Sequence, residues 1–165
     1  ALSGATEFSC FPQVVRITSE TAQLETVRAV VEGAARSIGF GGLEVSAVAL
    51  AIDEAVTNVI RHGYAGCAGR PIEVAIDRVE REGGPALQVT ICDCGRQVDP
   101  AMIVGRDLSD VRPGGLGTHI IRTVMDEVEY THRDPTGMQL RVVKVLGSPE
   151  GAEQRAEASG SKENS

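Results

Sequence analysis

The apolar residues of the chain follow two different periods, and each period predicts one kind of element. Residues 71–79 place apolar side chains at every second position, which is typical of a strand with one buried face. Apolar residues three and four positions apart predict two long helices, one capped by Ser19 or Thr21 and ending near Ile38, the other over residues 43–62. The complete prediction has strands at 11–17, 71–79, 86–92, 127–131 and 138–146, a short helix opened by Asp99 and Pro100, and a glycine turn feeding a helix within 114–128.

The predicted order β-α-α-β-β-α-β-β contains more strands than crossover helices, so several strands must be joined as hairpins. This order favours an α/β (α+β) two-layer sandwich, with a mixed, mostly antiparallel sheet and helices on one face, over a doubly wound fold. We expect one domain over residues 1–146. Residues 147–165 have almost no apolar content and are predicted to be a disordered tail.

The composition narrows the classes of partner. The 165 residues carry a net charge of −7 without a basic cluster, and only 3% are aromatic, which argues against nucleic acid as the main partner. The sequence shows no signal peptide and no apolar run long enough to span a membrane, so we expect a cytoplasmic protein without a membrane partner. Its cysteines, which are expected to be reduced, lack the spacing of a zinc site: Cys10, Cys67, Cys92 and Cys94.

The second long helix carries an acid and an amide within an otherwise apolar stretch, LAIDEAVTNVIRHGY. Glu54 and Asn58 are four residues apart and therefore share one helix face. Partial shielding of such groups from water is costly unless they have partners, and a hydrated divalent cation would be a suitable one. A solvated acid and amide on a surface helix would give the same pattern, and this stretch alone leaves both interpretations open.

Two glycine-bearing stretches follow at the ends of predicted elements. Asp93 comes where a strand ends, and Gly95 would let a flat group approach, so the carboxylate could accept a hydrogen bond from an exocyclic amine; an ordinary Asp-x-Gly turn is the alternative. Gly114, Gly115 and Gly117 precede a helix, whose free amides could bind phosphate. A flexible hinge would use the same glycines.

The three stretches in this order, EAVTN on a helix, D-x-G after a strand and G-x-G opening a helix, resemble the GHKL (Bergerat-fold) ATPases. The resemblance covers about residues 11–146. Within that superfamily, the short chain and the segment DEAVTNVIRHGY are similar to the bacterial anti-sigma-factor serine/threonine kinases of the RsbW and SpoIIAB type.

This resemblance implies a role for each matching position. Glu54 would be the catalytic base, and Asn58 would ligate Mg²⁺ on the phosphates of ATP. Asp93 would bind the adenine amine, with Gly95 closing the pocket. The phosphates would be held by Arg112, in a lid over 105–113, and by the helix start at Gly115, Leu116, Gly117 and Thr118.

The resemblance also implies partners and a role in transcription regulation and the stress response. The kinase would phosphorylate a serine of an anti-anti-sigma (STAS-domain) protein, sequester a sigma factor, and form a homodimer. Two positions depart from the family pattern: Gln97 replaces the second glycine of the D-x-G-x-G box, and Met138 stands where a threonine often contacts adenine, with Thr136 just ahead of it. A non-catalytic regulator-binding module and a phosphorelay accessory domain of the same fold are therefore alternatives.

Overall fold

The structure, a computed structural model, describes residues 10–104 and 115–147. These residues form five strands and four α-helices. The strands are β1 (Gln13–Thr18), β2 (Pro71–Arg81), β3 (Gly84–Asp93), β4 (Glu127–His132) and β5 (Met138–Val145). The helices are α1 (Leu24–Ile38), α2 (Gly42–Asn58), α3 (Pro100–Val104) and α4 (Gly115–Val124).

The strands form one sheet in the order β1-β2-β3-β5-β4. Each described pair of neighbours is antiparallel, so the sheet is antiparallel throughout rather than mixed. In this register Ile91 of β3 lies between Val74 of β2 and Leu140 of β5. The predicted two-layer α+β sandwich is confirmed.

The core lies between the sheet and the helices. Alternate residues are buried along most of β2 and β3, as the period of two predicted, and α2 packs against both α1 and α4. The largest fully buried side chains include Ile52, Val56, Ile72, Ile76, Leu87, Ile91 and Ile121. Each side chain of this size stabilises the fold by roughly 1.5–3 kcal/mol when it is fully buried.

Helix α2 does not stop at Asn58. A π-helical turn, Val59–Gly63, continues it, so the helical segment spans almost the predicted range and ends one residue beyond His62. π-helical turns are rare and are frequently found at functional sites. This turn brings the end of α2 next to the end of β3, where Asp93 lies.

The predicted cap of the first helix is wrong. A 3₁₀ turn, Thr21–Gln23, precedes α1. The N-cap residue makes no side-chain capping hydrogen bond in either the turn or α1. The Ser19 hydroxyl is buried and bonds elsewhere: it donates to the carbonyl oxygen of Cys67 and accepts from the amide of Arg70. Ser19 therefore fixes the loop after α2 instead of starting a helix.

All four cysteine thiols are free. Within the described residues there is no cluster of three or more His, Cys, Asp or Glu side chains that could hold a metal ion. In that same part of the chain, no helix has both the length and the apolar content needed to cross a bilayer. The predicted lid with Arg112, Gly114 and the tail from residue 148 onward lie outside the described residues.

Candidate functional site

A cavity of about 170 Å³ lies where the end of α2 meets the end of β3 and the start of β5. Its walls come from almost every element of the second half of the domain and include polar groups on an otherwise apolar surface. The lining residues are Ala55, Asn58, Val59, His62, Gly63, Ile91, Asp93, Arg96, Val98, Met102, Ile103, Thr118, Tyr130, Met138 and Leu140.

Asp93 is the buried carboxylate of this cavity. It is only 3% exposed because β3 ends here on the face that meets the helices. Its Oδ1 accepts hydrogen bonds from the backbone amides of Gly95, at 2.8 Å, and Met138, at 3.3 Å. Burial raises the pKa of Asp93, although these two hydrogen bonds and the nearby Arg133 oppose the shift. No donor among residues 10–104 and 115–147 bonds to Oδ2, so this oxygen is available to a ligand.

Two backbone approaches form the floor around Asp93, and both require glycine. A Cβ on Gly95 would lie 2.4 Å from the carbonyl oxygen of Gly63, so the loop after β3 packs directly on the end of α2. A Cβ on Gly137 would lie 2.0 Å from the carbonyl oxygen of Asp93, and Gly137 has a φ of +96°. Gly95 does not line the cavity itself; it lets the neighbouring residues do so.

Of the predicted pair on helix α2, Glu54 and Asn58, only one residue lines the cavity. Asn58 lines the cavity, together with Ala55 and Val59 on the same helix. Glu54 is half-buried one helical turn earlier and is not among the lining residues. The acid therefore lies beside the cavity, on the helix face that Asn58 shares.

Helix α4 begins at Gly115, so residues 115–117 form its first turn rather than a loop before it. Thr118, the next residue, lines the cavity. The predicted phosphate-binding segment thus lies at the N-terminus of a helix that borders the cavity, where backbone amides lack intrahelical partners. His119 is exposed and lies near the Thr123 hydroxyl, at 3.4 Å, outside the lining.

The structure adds residues that the sequence patterns did not identify as site residues. Arg96 and Tyr130 line the cavity, and so does His62, which lies in the π-helical turn. Arg133 donates to the carbonyl oxygen of Asp93 at 2.6 Å. Arg96 directly follows the D-x-G box, so its place in the sequence could have suggested it; nothing in the local pattern indicates the other contacts.

Comparison with known proteins agrees with this arrangement. The sequence model of the histidine kinase-like ATPase domain family matches residues 17–144, from β1 to β5. The chain belongs to this family. Membership confirms the resemblance to the GHKL ATPases and implies that ATP is used.

Similar curated proteins are named serine-protein kinase RsbW. One from Halalkalibacterium halodurans is 28% identical over 139 residues, covering 82% of this chain and 85% of that protein. Another from Bacillus pumilus is 27% identical over 140 residues, covering 80% and 84%. The similarity to relatives of this name supports a kinase family.

Two solved structures share the fold. The RsbU and RsbW domains of a Mycobacterium tuberculosis protein match with a TM-score of 0.55 and 19% identity, over 82% of this chain and 32% of that one. The chain thus spans about a third of that longer protein. The SiaB–SiaC complex from Pseudomonas aeruginosa gives a TM-score of 0.58 and 15% identity, over 78% of this chain and 88% of the matched one.

Proposed function

We propose that this protein is an ATP-dependent serine kinase and anti-sigma factor. It phosphorylates a serine of an anti-anti-sigma protein of the STAS type and, when that partner is absent or phosphorylated, sequesters a sigma factor. The observation that carries the proposal is the single cavity that Asn58, Asp93 and Thr118 share. The curated relatives named serine-protein kinase support the reaction type.

The cavity fits a purine base at its Asp93 end. The Oδ1 oxygen is already used by two backbone amides, which fixes the carboxylate, and Oδ2 can accept from an exocyclic amine. Ile91 and Leu140 supply apolar walls of the same cavity. A buried acceptor of this kind favours a base with an amine over one with a carbonyl at that position, because the carbonyl would leave both groups unpaired.

The opposite end of the cavity fits a phosphate chain. The first turn of α4 offers unpaired amides next to Thr118. Asn58 is the residue that would hold Mg²⁺, and the ion, when bound with ATP, would neutralise phosphate charge. A single amide oxygen is a sparse ligand set, and Mg²⁺ usually keeps several of its waters in nucleotide sites.

In this proposal Glu54 meets a hydroxyl that arrives from outside. Its half-buried position beside the cavity supports this role, because a serine on another protein would then not need to enter the nucleotide pocket. In the proposed reaction, the serine oxygen bonds to the γ-phosphorus of ATP, the bond to the ADP oxygen breaks, and Glu54 accepts the serine proton. General-base assistance of this kind contributes typically ~10²–10⁴-fold in rate.

Two measurements test the proposal. Mg-ATP at 100 times its dissociation constant should stabilise the protein by roughly 2.7 kcal/mol, which thermal unfolding detects. With a STAS-domain substrate, Glu54→Gln should lower phosphoryl transfer by at least about 10²-fold and leave ATP binding within about twofold. Glu25→Gln, at an exposed position of α1, is the matched control and should behave as wild type. Wild-type protein that neither binds ATP nor transfers phosphate would refute the proposal.

A non-catalytic binding module is the second candidate, and one observation favours it. The Thr136 hydroxyl donates to the carbonyl oxygen of Gly95 at 2.8 Å, and Thr136 is not among the residues that line the cavity, so it does not take the place of the adenine-contacting threonine of the family. If the protein captures a sigma factor equally well with and without ATP, and Glu54→Gln changes nothing, the binding module is correct. Sedimentation of the purified protein would test the proposed homodimer at the same time.

A further inference from the structure

Tyr64 joins three segments of the chain and is not among the residues that line the cavity. It directly follows the π-helical turn of α2 and is only 5% exposed. Its hydroxyl donates to the carbonyl oxygen of Pro71, at the start of β2, and accepts from the backbone amide of Cys94 at 2.7 Å. One buried hydroxyl therefore connects the end of α2, the start of β2 and the loop after β3.

The amide that donates to the Tyr64 hydroxyl belongs to the turn that carries Asp93. Cys94 lies between Asp93 and Gly95, whose own amide bonds to the Asp93 carboxylate. Backbone contacts hold the same turn from the α2 side, since the Arg96 amide donates to the carbonyl oxygen of Gly63 at 3.1 Å. Movement of the Cys94 amide would change the direction of the neighbouring Asp93 side chain.

We propose that Tyr64 is a positioning residue for base recognition, which holds the Asp93 carboxylate toward the exocyclic amine of the nucleotide. The inference rests on the proposed function, because it assumes that Asp93 binds the base of ATP. Tyr64 is not among the residues that line the cavity, so it acts through the turn alone.

The hydroxyl, rather than the ring, performs this role. Burial raises the pKa of Tyr64, so the hydroxyl remains protonated and can donate to Pro71 while it accepts from Cys94. The ring packs independently of the hydroxyl, with the Arg70 guanidinium 5.2 Å from its centroid. Tyr64→Phe would keep this packing and leave the Cys94 amide without its acceptor.

The chain supplies a matched control in Ser19, which follows β1 and bonds to the loop after Tyr64. Ser19 is 4% exposed, and its hydroxyl also bridges a carbonyl, that of Cys67 at 2.6 Å, and an amide, that of Arg70 at 3.0 Å. Ser19→Ala therefore removes the same kind of buried hydroxyl bridge. It does so without touching the Asp93 turn.

The experiment compares two nucleotides in the full chain. ATP and purine riboside triphosphate, which lacks the 6-amino group, are titrated with Mg²⁺ into wild type, Tyr64→Phe and Ser19→Ala. We expect wild type to prefer ATP by at least about tenfold, equivalent to about 1.4 kcal/mol. Tyr64→Phe should lose most of this preference, and Ser19→Ala should retain it even where its stability falls. Hydrogen exchange of the Cys94 amide should accelerate only in Tyr64→Phe.

Each outcome decides a separate point. An unchanged preference for ATP in Tyr64→Phe would overturn the inference and leave the kinase proposal intact. Equal loss of preference in Ser19→Ala would also overturn it, because the effect would then be general destabilisation. Wild-type protein that binds both nucleotides equally would refute the role of Asp93 and the inference together, and wild type that binds neither would refute the proposed function as well.

Discussion

Substitution of Gly137 by alanine tests the backbone arrangement on which the cavity depends. The new Cβ would lie 2.0 Å from the carbonyl oxygen of Asp93, 2.8 Å from its carbon and 2.9 Å from the Cα of Cys94. These are backbone atoms, so no flexible side chain can move aside. The φ of +96° adds strain that a residue with a Cβ rarely tolerates.

The steric clash and the backbone strain together set the expected loss of stability. A left-handed backbone costs a non-glycine residue about 1–2 kcal/mol, and overpacking costs about 1–3 kcal/mol, so Gly137→Ala should lower the free energy of unfolding by roughly 2–5 kcal/mol. Urea unfolding followed by circular dichroism measures this loss as a lower midpoint at constant slope. ATP affinity should fall as well, because relief of the contact displaces the turn that carries Asp93.

Two other glycines separate the cost of backbone strain from the cost of the steric clash. Gly66 has a φ of +78° and nothing within 4 Å of a Cβ, so Gly66→Ala should cost only the backbone strain, about 1–2 kcal/mol. Gly33, inside α1, also has free space but lacks a positive φ, and Gly33→Ala should stabilise by about 0.5–1 kcal/mol. A Gly137→Ala protein no less stable than Gly66→Ala would refute the close approach to Asp93.

Two further predictions concern the pH dependence of stability. Burial raises the pKa of Asp93 in the folded state, so ionisation of this carboxyl group lowers the stability of the protein as the pH rises above the ordinary pKa of 3.8. At pH 7, Asp93→Asn should therefore unfold at a urea concentration equal to or higher than that of wild type. The same variant should bind ATP more weakly in calorimetry. Hydrogen bonds from Arg81 and Arg141 lower the pKa of Glu127, so its contribution is present above the ordinary value of 4.5 and lost in more acidic solution. Glu127→Gln should therefore cost at most about 1 kcal/mol at pH 7, because the pair is partly exposed, and nothing in urea titrations below the folded pKa.

The elements that carry the site could be predicted because they follow local periods. The alternation at Ile72, Val74 and Ile76 correctly indicated the buried face of β2, and the helical spacing correctly extended α2 past Asn58. The antiparallel pairing of β2 with β3 and of β4 with β5 follows from the short connections that join them. Each of these inferences uses residues fewer than about a dozen positions apart.

The contacts that hold the site together could not be predicted in this way. Tyr64 and Cys94 are 30 positions apart, and Thr136 and Gly95 are 41 apart, so no local period connects them. The glycine of the D-x-G box suggested an open approach for a ligand. In the structure its missing Cβ is needed for the carbonyl of Gly63, which is a contact within the protein.

The two departures from the family pattern differ in consequence, and only the structure separates them. Gln97 is exposed, is not among the lining residues, and its amide donates to the carbonyl oxygen of Arg133, so it supports the loop around the cavity. The Met138 side chain lines the cavity, and its backbone amide donates to Asp93. A thioether therefore replaces a hydroxyl beside the proposed base, while the backbone bond that fixes the carboxylate is kept. Recognition of the amine by Asp93 then depends more heavily on the geometry of its turn, which is the geometry that Tyr64 and Gly137 maintain.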